Sequence, residues 1–199
     1  MAPDCTIYGI PGTGNGFHEV VIDGHISRPH WIIHLLGALA ARQISVVSGF
    51  AYQEKFGLWK AGFNLDFTES TSALERLDFY SFVHESSDRE GGKEPLLSFF
   101  SVTRTMDDLL ELYLEGPDQI GFLSSILARV ASLALFPVAL NVETVDGRIR
   151  DRIVLCRIGV GFHSPSYSSY THLHSLLQSF MVEEDAVSGD IGVPLQRAS

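Results

Sequence analysis

The chain has 199 residues, of which 45% are hydrophobic and 19% charged, and its 24 acidic and 14 basic residues give a net charge of −10. With a mean hydropathy of +0.14, this composition supports a packed core and excludes a disordered or fibrous chain. The acidic balance argues against nucleic acid as a partner. Three lysines against eleven arginines leave no lysine-rich tract for an anionic membrane.

The cysteines and the N-terminal residues indicate the compartment. Cys5 and Cys156 are too few for a disulfide scaffold, which favours a reducing environment. No signal-peptide pattern is visible at the N-terminus, and no apolar run approaches the ~20 residues that span a bilayer. We therefore expect a soluble, cytoplasmic protein that does not enter a membrane.

Residues 1–17 contain four glycines within eight positions, from Gly9 to Gly16. This run has the composition of a phosphate-binding loop, but the Lys-Ser/Thr pair that ends such a loop is missing. We predict that residues 1–17 form a flexible, glycine-rich leader.

An internal repeat with a constant offset of 91 residues organises the rest of the chain. In both copies apolar residues recur at spacings of three and four, which predicts an amphipathic helix of three to four turns. The helices begin at capping-type residues, Ser27 and Asp118. The matched apolar pairs are Trp31 with Phe122, Ile32 with Leu123, Leu35 with Ile126, Leu36 with Leu127, Leu39 with Val130, and Ile44 with Leu135.

Strand patterns flank each of these helices. The strands predicted for the first copy are 19–24, 44–50, 58–67 and 96–103, and those for the second are 110–116, 137–145 and 149–158, with 191–195 as a weak fourth. The second helices are predicted at 70–83 and 168–181. Each copy then has the order β-α-β-β-α-β, so the predicted fold class is α+β, with two ferredoxin-like units whose antiparallel sheets carry helices on one face. The units span 18–105 and 106–182, followed by an acidic tail at 183–199.

The second copy resembles an ACT domain, a small-ligand regulatory module. That family has an acid-x-x-Gly turn leading into its first helix, then a glycine turn and an acid near the start of the third strand. Asp118, Gly121, Gly147 and Asp151 match these four places. The chain is similar to stand-alone tandem ACT regulators, such as those of the glycine cleavage system, and to the paired modules of glutamine-sensing uridylyltransferases.

The first copy matches the family less well. Ser27 stands in place of the acid and His30 in place of the glycine, whereas Arg28 and Pro29 fit the two positions between them.

The resemblance implies an amino-acid ligand at these turns. A helix N-terminus offers free amides to a carboxylate, and a glycine lets the ligand approach the backbone. The candidate binding residues are Asp118, Gln119, Ile120, Gly121, Phe122, Leu123 and Asn141 in the second copy, and Ser27, Arg28, His30 and Trp31 in the first. The alternative is that Asp118 only caps the helix and Gly121 only packs. No cofactor is expected.

Histidines of the first copy suggest a different function, a small enzyme on the same scaffold. His30 and His34 have the i, i+4 spacing that lets two imidazoles meet one metal, but a third ligand is missing, so pocket or surface histidines are the favoured interpretation. No catalytic residues are assigned, because neither a Ser-His-Asp nor a Cys-His order is recognisable.

Three arginines, Arg148, Arg150 and Arg152, alternate with other residues and therefore share one strand face. They form either an anion-binding row or, as we favour, a charged face that prevents sheet-to-sheet aggregation.

Exposed strand edges and a weak fourth strand in the second unit predict a homodimer whose interface includes that unit. A regulatory module also implies a protein partner that receives the signal. A purely structural interaction protein is the third possibility.

Overall fold

The computed structural model describes residues 5–12, 16–55, 57–84, 94–159 and 161–182. Its strands are β1 (Cys5–Pro11), β2 (Phe17–His25), β3 (Ser45–Lys55), β4 (Leu58–Asp66), β5 (Phe99–Arg104), β6 (Leu110–Pro117), β7 (Leu135–Val145), β8 (Arg148–Gly159) and β9 (Gly161–His163). Its helices are α1 (Trp31–Ala40), α2 (Phe79–His84), α3 (Phe122–Ser132) and α4 (Tyr167–Gln178), and a 3₁₀ turn covers Leu74–Arg76. The class is α+β, as predicted.

The strands form one continuous sheet rather than the two predicted sheets. Eight strands follow the order β1-β2-β4-β3-β7-β8-β6-β5, and β9 pairs with the end of β8. All these pairings are antiparallel. The prediction of separate sheets was wrong because β3 and β7, the outer strands of the two predicted units, hydrogen-bond to each other.

The junction of β3 and β7 relates the two halves by an approximate two-fold axis. Gly49 lies opposite Val142, and Ala51 lies opposite Leu140. The repeat offset of 91 converts the first of these pairs into the second, because 49 + 91 = 140 and 142 − 91 = 51. The repeat seen in the sequence is therefore also a spatial repeat across this junction.

Alternation along the strands gives the sheet a core side and an open side. On β6, Leu110, Leu112 and Leu114 are fully buried, whereas the residues between them are only partly buried. The inward-facing strand residues and the apolar residues of all four helices belong to one core cluster. The other side of the sheet carries exposed residues, including Phe50 and Tyr52.

Residues 5–11 of the predicted flexible leader form a strand. β1 pairs with β2 over its whole length, from Cys5 opposite Gly24 to Pro11 opposite His18. A strand, β2, and not a helix follows the glycines, so the structure agrees with the sequence in disfavouring a phosphate-binding loop here. The prediction of a flexible leader failed because Gly9 lies inside a strand at the sheet edge, where a missing side chain lets Leu74 approach closely.

The strand predicted to close the first unit belongs to the other half of the sheet. β5 pairs with β6, with Phe100 opposite Leu114 and Val102 opposite Leu112. The corresponding edge of the first half is already occupied by β1. Each half therefore receives its edge strand from the residues that precede it, and the candidate strand at 191–195 lies outside the described residues.

The second helices differ in how well they were predicted. α4 begins at Tyr167 with a Ser166 cap, in agreement with the predicted range. The range 70–83 is instead divided into the 3₁₀ turn and the six-residue α2, because Asp78 accepts hydrogen bonds from the backbone and hydroxyl of Ser81 and starts a new helix there. In the part of the chain that the structure covers, no helix has the length and apolar character needed to cross a membrane.

Candidate functional site

A cavity of about 40 Å³ lies where the two halves of the molecule meet. We name it the junction cavity. Its lining from the second half is Asp118, Gln119, Ile120, Gly121, Phe122, Leu123, Ser124, Val142, Thr144, Ile149 and Asp151, and from the first half Leu36, Ala40, Ile44, Ser45 and Val46. Six of the candidate residues from the sequence, 118 to 123, therefore lie together around one cavity.

The turn before α3 has a conformation that favours glycine. Gly121 has a φ of 84° and occupies the N-cap position. The Asp118 amide donates a hydrogen bond of 2.9 Å to the Gly147 carbonyl, which joins this turn to the β7–β8 turn. Asp118 was expected to cap the helix and does not, because the helix starts one turn later, at Phe122. The same holds for Ser27, since the N-cap of α1 is His30.

The first turn of α3 offers hydrogen-bond donors to the junction cavity. The Phe122 amide is bonded to the Gln119 carbonyl, and the Ser125 amide to the Gly121 carbonyl. Helix geometry leaves the amides of Leu123 and Ser124 without an intrahelical partner. The partial positive charge of the helix N-terminus adds to their attraction for an anion.

Asp151 places a buried carboxyl group in the same cavity. Asp151 is only 3% exposed, because it lies between Ile149 and Ile153 on the core side of β8. The pKa of Asp151 is raised to about 7, chiefly by burial; a hydrogen bond from the Glu143 backbone lowers it, and the Asp118 charge adds to the rise. A carboxyl group held in this way gains from a cation placed beside it.

Gln119 adds an acceptor. Its Oε1 atom is buried and has no hydrogen-bond partner among the described residues. Its Nε2 atom donates to the Glu94 carbonyl at 3.5 Å. An unpaired acceptor and a buried carboxyl on one small cavity match a ligand that carries N–H donors.

Asn141 does not belong to this site. It is exposed and lies opposite Phe50, so it is on the open side of the sheet. The β7 residues that line the junction cavity are Val142 and Thr144. The expectation was wrong because side chains alternate along a strand, and a shift of one residue moves a side chain to the opposite face.

The corresponding place in the first half is filled by large side chains. The His30 ring packs edge-on against Phe136, with ring centroids 4.8 Å apart. Trp31 is fully buried and packs against Trp59, with centroids 5.1 Å apart. Ser27 and Arg28, the other two candidates of this copy, are exposed.

The repeat explains why one place is open and the other is filled. At the offset of 91, His30 corresponds to Gly121 and Phe136 to Ser45. Gly49 and Leu140 are equivalent in the repeat, and they pair with Phe63 and Ile153, so Phe63 of β4 corresponds to Ile153 of β8. Counting back along both strands, Trp59 corresponds to Ile149 and Ala61 to Asp151. The position at His30 thus has aromatic rings where the position at Gly121 has Gly121, Ser45 and Ile149, and it has an alanine in place of Asp151.

The histidines of the first copy do not form a metal centre in the described structure. The rings of His30 and His34 have centroids 6.2 Å apart. Burial lowers the pKa of both, and the charges of His30 and Arg28 add to the effect at His34. Over the described ranges, no group of three or more His, Cys, Asp or Glu side chains has an arrangement suited to a metal ion.

The arginine row lies on the open side of the sheet, as its alternation predicted. Arg148, Arg150 and Arg152 are all exposed. Arg152 forms an ion pair with Glu111 on β6, and Arg148 donates to the Ser98 hydroxyl. These contacts join the row to neighbouring strands and favour the interpretation as a charged sheet face.

Sequence reasoning did not select Asp151 or the five first-half residues as part of the site. A signal for Asp151 was present, because an acid between two isoleucines at alternate positions must share their buried face. The contribution of Ser45 and Val46 had no such signal, since it depends on the pairing of the two halves.

No protein-family model matches the chain, and no curated protein matches it. The crystal structure of aspartate kinase from Synechocystis matches with a TM-score of 0.48 and 14% identity, over 82% of this chain. The match spans 26% of that kinase chain.

Proposed function

We propose that the chain is a regulatory module of the ACT type that binds a small zwitterionic ligand, an amino acid, at the junction cavity. The observation that carries this proposal is the meeting of the α3 N-terminus with the buried Asp151 carboxyl at one cavity between the two halves. The amides of Leu123 and Ser124 suit the ligand carboxylate. Asp151 and Oε1 of Gln119 suit its ammonium group.

The junction cavity of a single chain is too small to enclose a whole amino acid. Pockets that enclose small ligands measure roughly 300–1,000 Å³, whereas the junction cavity is about 40 Å³. The charged end of an amino acid would enter after a small movement of the turn, and its side chain would remain outside. We propose that a second copy of the chain covers that side chain, and that the ligand thereby favours one assembly state and signals it to a protein partner.

The direct test is a thermal-shift and calorimetric screen of the full chain against the twenty amino acids at millimolar concentration. We expect a subset to bind the wild-type chain and to lose affinity for Asp151→Asn. Asp146→Asn is the matched control, because it makes the same chemical change in the same hairpin, at an exposed residue outside the cavity lining. Absence of any shift, or equal binding by the two variants, contradicts the proposal.

A second measurement tests the role of the carboxyl group. An ammonium ligand favours ionised Asp151, so binding near pH 7 should release part of a proton. Calorimetry in two buffers of different ionisation enthalpy measures that release. If the apparent enthalpy is the same in both buffers, the ligand does not pair with Asp151.

A further inference from the structure

A second concave region lies at one end of the sheet, between β1 and the turn-helix segment that follows β4. We name it the edge cleft. Its volume is about 370 Å³, within the range of sites that hold a ligand. The residues that the argument uses are Ile7, Gly9, Leu74, Glu75, Leu77 and Asp78.

Among the described residues, no strand pairs with the outer edge of β1, the strand that borders the edge cleft. β1 is the last strand of the sheet order. The Gly12 amide donates to the Phe17 carbonyl, which makes residues 12 and 17 a hydrogen-bonded pair. Because hydrogen-bonded and non-hydrogen-bonded pairs alternate in an antiparallel ladder, the amides and carbonyls of Ile7 and Gly9 point away from β2. They face outward along the cleft.

The wall opposite this edge is apolar at its base and acidic above. Leu74 lies so close to Gly9 that a Cβ atom built there would be 2.9 Å from the leucine Cδ1. Leu77 and Phe79 continue the apolar surface. Glu75 and Asp78 are exposed, and no described lysine or arginine lines the cleft.

We propose that the edge cleft binds an extended peptide segment of a partner protein, added as a strand beside β1. Backbone groups of the peptide would pair with Ile7 and Gly9, as in other cases of strand addition to an open sheet edge. Alternate aliphatic side chains would pack on Leu74 and Leu77. A lysine or arginine in the peptide would face Glu75 and Asp78, so charge complementarity selects a basic, aliphatic segment. A second copy of this acidic chain matches that charge less well.

The test uses fluorescence anisotropy, with the full chain, of a labelled octapeptide Lys-Thr-Val-Thr-Val-Thr-Lys-Thr, whose lysines and valines share the strand face toward Leu74, Leu77, Glu75 and Asp78. We expect saturable binding that is lost when the lysines are changed to glutamate. N-methylation of two backbone amides on the pairing side should weaken binding at least about tenfold, since it removes two hydrogen bonds. Unchanged binding of the methylated peptide overturns strand addition.

Substitutions in the chain test whether the peptide binds in the edge cleft. Glu75→Lys should weaken binding of the lysine peptide by about two- to fivefold and favour the glutamate peptide. Glu69→Lys is the matched control, because Glu69 is also exposed and precedes the cleft-lining segment. Equal effects of the two variants overturn the assignment to this cleft. So does an absence of peptide binding together with self-association that Ile7→Pro abolishes, which would show a second copy in the cleft.

Discussion

Phe50 of β3 lies directly opposite Asn141 of β7, and these two residues are also equivalent in the internal repeat, because 50 + 91 = 141. A residue that pairs with its own repeat counterpart marks the position of the two-fold axis. The axis passes through the middle of the sheet, and the two possible ligand positions lie on either side of it. Only the position at Gly121 is open, whereas the one at His30 is filled.

The turn at Gly121 gives a prediction about stability. Gly121→Ala should destabilise the chain by about 1–2 kcal/mol, because alanine is strained at a φ of 84°. Gly37→Ala is the control. Gly37 lies inside α1, a Cβ atom there meets nothing within 4 Å, and the change should stabilise by about 1 kcal/mol. Urea unfolding measures both, and equal signs for the two variants would contradict the prediction.

Asp151 predicts how stability depends on pH. The unfolded chain ionises this carboxyl near its ordinary pKa of 3.8, whereas the folded chain ionises it at about 7. Between these values the folded state keeps a proton that the unfolded state releases, so the contribution of Asp151 to stability is lost as the pH rises from 3.8 to about 7. The loss is on the order of 4 kcal/mol.

The measurement is urea unfolding of the wild-type chain and Asp151→Asn at pH 5 and pH 8. The asparagine variant lacks the titrating group, so the wild-type chain should lose more stability than the variant between the two values. Other carboxyl groups contribute equally to both proteins and cancel in the comparison. Parallel pH profiles would show that Asp151 is not buried as described.

Because the position at His30 is filled and the one at Gly121 is open, equivalent residues at the two positions should contribute differently to the free energy of unfolding. Phe136→Ala should cost about 3 kcal/mol, because Phe136 is buried against His30 and its loss leaves a cavity. Ser45→Ala, at the equivalent place in the repeat, should change the free energy of unfolding by less than about 1 kcal/mol. Chemical denaturation of the two variants checks this, and similar costs would mean that the two positions are filled alike.

The assembly state follows from the small junction cavity and the open sheet edges. We predict a homodimer whose interface includes the second half and brings two Asp118–Gly121 turns near the subunit boundary. Light scattering at micromolar concentration should give a mass near twice 21.9 kDa. A mass of a single chain, with and without ligand, would rule the dimer out.

The sequence by itself determined the repeat, the class of fold and the turn at the centre of the site. These depend on local physics: apolar spacing of three and four defines α1 and α3, alternation defines the core side of β6 and β8, and a glycine is needed where φ is positive. Residues 118–123 are contiguous, so a correct local assignment was enough to bring them together.

Only the tertiary structure decided which strand pairs with which edge, which side Asn141 faces and which of the two positions is open. β1 and β5 lie at sheet edges, where backbone hydrogen bonds are similar for any partner, so their sequences do not specify a neighbour. The face of Asn141 depends on the register of β7, which one residue reverses. The junction cavity depends on side chains from both halves, and their contact exists only once β3 and β7 have paired.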